Sequence, residues 1–187
     1  MASFAKDAIK ESLLQLLEEK PYSKITVKDI VDRCGINRNS FYYHFDDIPS
    51  LLNEIIQDWM DSVIDEYPVI LSLEDCVDIT IQTVEQRKKA VLHLYNSAGR
   101  EALERYLWAL CDRAARRFLT TAFPEANISE ADREILIRSL KCEVFGTTIE
   151  WLEGGMKMDL AAYHHRLFAL RGGVLEEMIA RAEADRK

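Results

Sequence analysis

Apolar residues recur at helical spacing along almost the whole chain, and the breaks between runs mark helix ends. Ala5, Ala8, Ile9, Leu13, Leu16 and Leu17 predict a first amphipathic helix over residues 3–19. It stops by Lys20, because the residue before Pro21 avoids helical backbone angles. Val27, Ile30 and Val31 share one face of a short second helix. Thr26 can cap its start, and Gly35, free to take a left-handed backbone, ends it near Cys34. Ile36 plugs the corner. Asn37 can cap a third helix running through Arg38, Asn39, Ser40, Phe41, Tyr42 and Tyr43. Phe41 and Phe45, four apart, face inward, which turns Arg38, Asn39, Ser40, Tyr42 and Tyr43 outward or along the rim. Asp47 can cap a fourth helix with Pro49 in its first turn, carrying Leu51, Leu52, Ile55, Ile56, Trp59 and Met60 and ending before Pro68.

The remaining pattern is also helical. Ser72-Leu73-Glu74-Asp75 has the form of a capping box and opens a helix to about Val84. Ala90 to Asn96 is a short apolar helix. Residues 100–121 form a long amphipathic helix with Leu103, Tyr106, Leu107, Leu110, Cys111, Ala114 and Phe118 on its inner face. Ser129 to Asp132 opens a helix to about Glu153 that is apolar on more than one side. Asp159 caps a last helix to about Ala184, interrupted by Gly172-Gly173. No strand alternation, repeat or flexible linker is visible. The expected fold class is all-α with about nine helices. A three-helix helix-turn-helix head occupies residues 1–50, and a helical domain occupies residues 51–187.

Composition narrows the class. The 187 residues are 48% hydrophobic, and mean hydropathy is −0.17. No apolar run reaches the roughly 18 residues that suggest a membrane span. The opening MASFAKDAIKESLL mixes charged and apolar residues, the pattern of a helix rather than a signal peptide. Cys34, Cys76, Cys111 and Cys142 are far apart, as expected of reduced thiols packed in helices. These features together predict a cytoplasmic protein. The net charge is −8, and residues 1–53 hold seven Lys/Arg against eight Asp/Glu. A DNA-binding face must therefore rest on local placement of Lys24, Lys28, Arg38 and Lys6, aided by neutral donors and helix N-termini.

The third helix carries the chemistry. A helix-turn-helix lays its second helix in the major groove, where its first residues reach base edges. Arg binds guanine bidentately and Asn does the same with adenine, so Arg38 and Asn39, with Ser40 beside them, are candidates for base contact. The plainer alternative is a solvated polar face. Thr26 and Lys28 are candidates for phosphate contact, with capping as the alternative for Thr26. For Tyr42 the alternative is partial core packing.

The run Tyr22-x-x-Ile25-Thr26-Val27-x-x-Ile30-Val31-x-x-Cys34-Gly35-Ile36, followed by Ser40-Phe41-Tyr42-Tyr43-His44-Phe45, resembles the DNA-binding domain of TetR/AcrR-type transcriptional regulators. The aromatic end of the third helix is its most specific part. The resemblance covers roughly residues 5 to 55. It implies a DNA-binding site at Thr26, Lys28, Asn37, Arg38, Asn39, Ser40, Tyr42, Tyr43 and His44. Tyr42, Tyr43 and His44 match phosphate and thymine contacts. It also implies a homodimer paired through the last two long helices, and a small-molecule effector cavity in the C-terminal helices. Candidate lining residues are Trp59, Tyr67, His93, Tyr95, Trp108, Cys111, Glu143 and Thr148, each also a plausible core residue. Where the family often has a lysine for the DNA backbone, this chain has Ile48 after Asp46-Asp47.

No catalytic signature, nucleophile elbow or Gly-rich phosphate loop occurs, so an enzyme is not expected. His164 and His165 are adjacent and diverge by about 100° on a helix, so neither metal nor cofactor is expected. The implied function is a ligand-responsive regulator, acting as a repressor on a palindromic double-stranded operator. The alternative is a protein-interaction module with a weak or vestigial DNA-binding head.

Overall fold

The computed structural model describes residues 2–66 and 73–186. Among these residues it has ten α-helices, one 3-10 turn and no strand. The helices are α1 (Ala2–Glu19), α2 (Val27–Cys34), α3 (Arg38–His44), α4 (Ile48–Glu66) and α5 (Leu73–Gln86). They continue as α6 (Lys88–Tyr95), α7 (Arg100–Ala122), α8 (Glu130–Glu153), α9 (Leu160–Leu170) and α10 (Val174–Ala184). The all-α class holds. Ser72, expected to start α5, and Tyr67, expected near a cavity, lie outside the described residues.

The chain divides into two compact units. The first comprises Met1–Ser62 and Val84–Tyr106, and the second Val63–Thr83 and Leu107–Lys187. The first unit therefore holds more than the expected head of residues 1–50: α6 packs on α1, which also packs on α2.

Short-range chemistry sets the elements of the head. Thr26 Oγ1 accepts the Asp29 N–H at 3.2 Å, while Asp29 Oδ2 accepts the Thr26 N–H at 2.8 Å. This reciprocal box satisfies two donors at the start of α2. Gly35 ends α2 at φ 71° and ψ 27°. Asn37 Oδ1 accepts the Ser40 N–H at 2.8 Å and caps α3. Asp47 Oδ1 accepts the Ser50 N–H at 2.7 Å, and Ser50 Oγ accepts the Asp47 N–H at 3.2 Å, which caps α4 from both sides. Ile9, Leu13, Ile30, Phe41 and Leu51 are fully buried, with Leu16, Leu17, Val31, Phe45 and Leu52 nearly so.

The second unit has its own core. Ala115, Leu119, Ile128, Leu136, Ile137, Leu140 and Ile179 form one buried cluster, drawn from α7, the loop before α8, α8 and α10. The expected inner face of α7 ran through Ala114 and Phe118. Those two are half-buried, and Ala115 and Leu119 lie deepest. At about 100° per residue, Ala115 and Leu119 point to a different side of α7 from Ala114 and Phe118, and that side is the one packed with the α8 and α10 residues of the cluster. Ser129 caps α8 through the Asp132 N–H at 3.0 Å. Beyond α8, Gly155 takes φ 71° and Met156 φ 55°, and Trp151 Nε1 donates to Met158 O at 2.9 Å, closing the turn.

The single last helix expected from Asp159 to about Ala184 is two helices. Asp159 caps α9 as expected, its Oδ1 accepting the Ala162 N–H at 2.9 Å. Gly173 takes φ 80° and ψ −9°, a left-handed conformation that an α-helix cannot include. The glycine pair thus ends one helix and starts the next.

Gly35 offers a test of the head's turn. A methyl group added there meets no atom within 4 Å, so only the backbone conformation opposes it. Gly35→Ala is expected to lower unfolding free energy by about 1–2 kcal/mol, measured by urea denaturation with an unchanged m-value. An unchanged midpoint would show that the turn relaxes at no cost.

Candidate nucleic-acid interface

The face of α3 follows from what its aromatic residues bury. Phe41 and Phe45 are 0% and 4% exposed, and their rings lie 6.0 Å apart on the core side. On a helix the intervening positions must then turn away. Tyr42 is 55% exposed and Tyr43 81% exposed, with Arg38 and Asn39 exposed before them. Tyr42 nevertheless keeps an edge-on contact with Phe41 at 5.4 Å, and Tyr43 one with His44 at 5.0 Å. His44 is half-buried. The result is an outward row of guanidinium, amide and two phenols on one short helix.

The other expected contacts are more committed. Asn37 uses Oδ1 for both the Ser40 N–H and, at 3.2 Å, the Ser40 hydroxyl. Ser40 is half-buried. Thr26 is exposed, but its hydroxyl donates to Asp29 Oδ2 at 2.6 Å and accepts the Asp29 N–H. Lys28 and Lys24 are exposed. Lys6 instead pairs with Glu54 at 2.8 Å and sits 5.5 Å above the Phe45 ring. Ile48 is half-buried in the first turn of α4.

Residues outside the expected contact set tie α2 to the end of α1 and to the residue that follows it. Asp29 completes the cap and pairs with Lys20 at 3.0 Å, while Arg33 grips Glu19 through two bonds of 2.7 and 2.6 Å. The spacing Thr26-x-x-Asp29 carries the signal for the first of these. The Glu19–Arg33 fork joins residues fourteen apart and has no local signature. The Thr26 hydroxyl, then the Lys20 ammonium, hold the Asp29 carboxyl down to about 2 from its ordinary 3.8.

The expected effector-lining residues divide between the units. In the first, Trp59 is half-buried, His93 meets Leu17 O at 2.7 Å, and Tyr95 is buried with the Arg100 guanidinium 4.4 Å from its ring centre. In the second, Trp108 is 40% exposed, edge-on to Phe145 at 5.0 Å and 4.2 Å from Lys141 Nζ. Glu143 pairs with Arg171, Thr148 donates its hydroxyl to Val144 O at 2.7 Å, and Cys111 is half-buried. His164 is 1% exposed, and burial pushes its pKa down. His165 meets Asp78 at 2.6 Å, and that bond raises its pKa. The two imidazoles thus face different surroundings. Among the described residues no group of three or more His, Cys, Asp or Glu could hold a metal ion, and no helix is long and apolar enough to cross a membrane.

A capped pair of short helices with a polar row on the outer face of the second defines a helix-turn-helix protein. Comparison with known proteins names the family. Residues 9–55 match the profile of bacterial regulatory proteins of the tetR family, and residues 72–171 match that of a transcriptional regulator C-terminal region. The HTH-type transcriptional repressor KstR2 of Rhodococcus jostii is 25% identical over 175 residues, covering 84% of this chain and 85% of that one. The uncharacterized HTH-type transcriptional regulator YxbF of Bacillus subtilis is 30% identical over 63 residues, where this chain spans 34% of itself and only 17% of that protein. The fold matches the dihydroxyacetone kinase operon activator DhaS with a TM-score of 0.72 at 13% identity, covering 96% and 97% of the two chains. The chain belongs to the TetR family of transcriptional regulators.

The Asp29 carboxyl gives a pH test of the head. Its folded pKa is depressed, so the stability its bonds supply is full above about pH 4 and lost as pH falls towards 2. Asp29→Asn cannot titrate. Its melting temperature is expected to lie below that of the parent at pH 6, with the difference shrinking between pH 4 and pH 2. A constant difference across that range would show that the carboxylate charge contributes nothing.

Proposed function

We propose that the protein is a ligand-responsive repressor that binds a palindromic DNA operator as a homodimer. The observation that carries this is the outward row Arg38, Asn39, Tyr42 and Tyr43 on a helix held by the buried Phe41 and by the buried Phe45 at its C-cap. Arg38 and Asn39 stand at the start of α3, the part of a recognition helix that meets base edges, and the exposed phenols suit the flanking phosphates. The sign of regulation follows KstR2, a repressor by name and similar over most of its length. Residues 1–50 serve as the DNA-binding domain, and residues 51–187 bind the effector and the second subunit.

Two such heads read one palindrome when their recognition helices stand about 34–36 Å apart, one turn of DNA. Pairing through the last long helices fits the large apolar side chains they expose. Ile135 on α8 is 61% exposed, Leu170 on α9 66% and Val174 on α10 40%. An effector held by the C-terminal helices would release DNA by favouring another head spacing, a coupling of typically about 1–3 kcal/mol. The near-neutral head and Ile48 in place of a basic residue favour a second reading, a protein-interaction module whose head binds DNA weakly. A salt series separates the two, because phosphate neutralisation gives a steep linear log–log slope.

Arg38→Ala is expected to weaken operator binding by about 1–3 kcal/mol and to relax base preference at one position of each half-site. Tyr43→Phe should weaken binding evenly across sequences, since a phosphate bond carries no base information. Selection from random duplexes with each variant checks this, and identical specificity profiles would refute the placement of α3. Sedimentation should show a dimer at micromolar concentration, held mainly by residues 130–183. A monomer there would refute the proposed assembly.

A further inference from the structure

The C-terminal turn of α1 contains a carbonyl that its own helix cannot satisfy. The last carbonyls of any helix lack intrahelical partners. Leu16 O is rescued by the Lys20 N–H at 3.0 Å. The N–H that would return to Leu17 O belongs to residue 21, which is Pro21 and has none. Leu17 is 2% exposed, so water has little access to the group. His93 Nδ1, from α6 and 76 residues away, lies 2.7 Å from Leu17 O. A carbonyl oxygen only accepts, so Nδ1 carries the proton and donates.

The end of α1 and the residue after it grip the helix-turn-helix. Glu19 holds Arg33, and Lys20 holds Asp29, the residue that completes the Thr26 cap of α2. The bond from α6 and the bonds to α2 therefore leave α1 within four residues of each other. On the other side α6 is seated firmly. Leu94 and Tyr95 are buried, and the loop after it brings Gly99 against Leu94 and Leu52, so close that a methyl group on Gly99 would clash with Leu94.

We propose that His93 is a positioning residue for DNA binding, clamping the end of α1 to α6 and so fixing where α2 and α3 stand on the first unit. The proposal rests on the head being the DNA-binding part. Proline at position 21 makes the clamp necessary, and a donor at position 93 supplies it. A bond that only satisfied a stranded carbonyl would serve stability alone. A clamp also sets the placement of α2.

Four full-length proteins separate these roles: the parent, His93→Leu, His93→Asn, and Pro21→Ala combined with His93→Leu. Amide hydrogen exchange over residues 27–44, melting temperature and affinity for a duplex selected by the parent from a random pool are measured on each. His93→Leu is expected to speed exchange in residues 27–44 and weaken duplex binding, each by about fivefold to tenfold. His93→Asn, which keeps an N–H near the same place, should remain within about twofold of the parent. In the double variant residue 21 regains an N–H that can return to Leu17 O. Its melting temperature should recover, while exchange and affinity should not. Recovery of all three would overturn the proposal and leave His93 a plain cap. Unchanged exchange in His93→Leu would overturn it as well. If the parent itself binds no duplex, the proposed function falls, and the exchange measurement still decides the role of His93.

Discussion

Burial of Phe41 and Phe45 is the constraint on which the exposed chemistry of this protein depends. Phe41 sits on the core side of a seven-residue helix, and Phe45, the extended residue that follows it, is buried as well. A helix so short makes little net stability from its own hydrogen bonds, so its orientation is set by what it packs against. Each buried aromatic side chain contributes roughly 1.5–3 kcal/mol on leaving water. One on the helix and one at its C-cap lock the rotation of α3 about its axis. Once that rotation is set, the outward row of Arg38, Asn39, Tyr42 and Tyr43 is no longer adjustable.

The locked helix still needs a defined placement, and the caps begin to supply it. Thr26, Asn37 and Asp47 each accept backbone N–H groups at the head of their helices, and Gly35 supplies the left-handed residue between α2 and α3. Caps define where helices start but not how they sit together. That is the task of the longer-range bonds from Glu19 and Lys20 to Arg33 and Asp29, and of His93 to Leu17. Each joins groups that local sequence keeps apart.

The second unit is organised differently. Its cluster of aliphatic side chains, centred on Leu119, Leu136 and Leu140, is flanked by an ion network in which Asp112 receives Lys141 at 2.8 Å and Arg116 at 2.7 Å. Arg116 also reaches Glu134, so α7 and α8 are joined by charge as well as by apolar contact. Lys141 lies over the half-exposed Trp108 ring, a contact favourable to a cation. These groups cover the apolar cluster while α8, α9 and α10 still show large hydrophobic side chains to solvent.

Much of this was legible in the residues themselves, where the cause is local. Periodicity places the helices, Pro21 and Gly35 stop them, and Thr26, Asn37, Asp47, Ser129 and Asp159 cap them at side-chain distances of one helical turn. The inward side of α3 is also local, because Phe41 and Phe45 are four apart. Tertiary structure alone decided matters that depend on partners distant in sequence. It split the last helix at Gly173, where the glycine pair in the sequence marks only an interruption. It moved the deepest burial on α7 to Ala115 and Leu119, because which side of that helix is covered is decided by where α8 and α10 pack. It gave Lys6, a candidate phosphate contact, a partner in Glu54 on α4. It also brought His93 to Leu17 O. The sequence alone determined that Pro21 would strand that carbonyl, since the missing N–H is a property of proline. Which donor would answer it was decided by packing across 76 residues, where spacing carries no information.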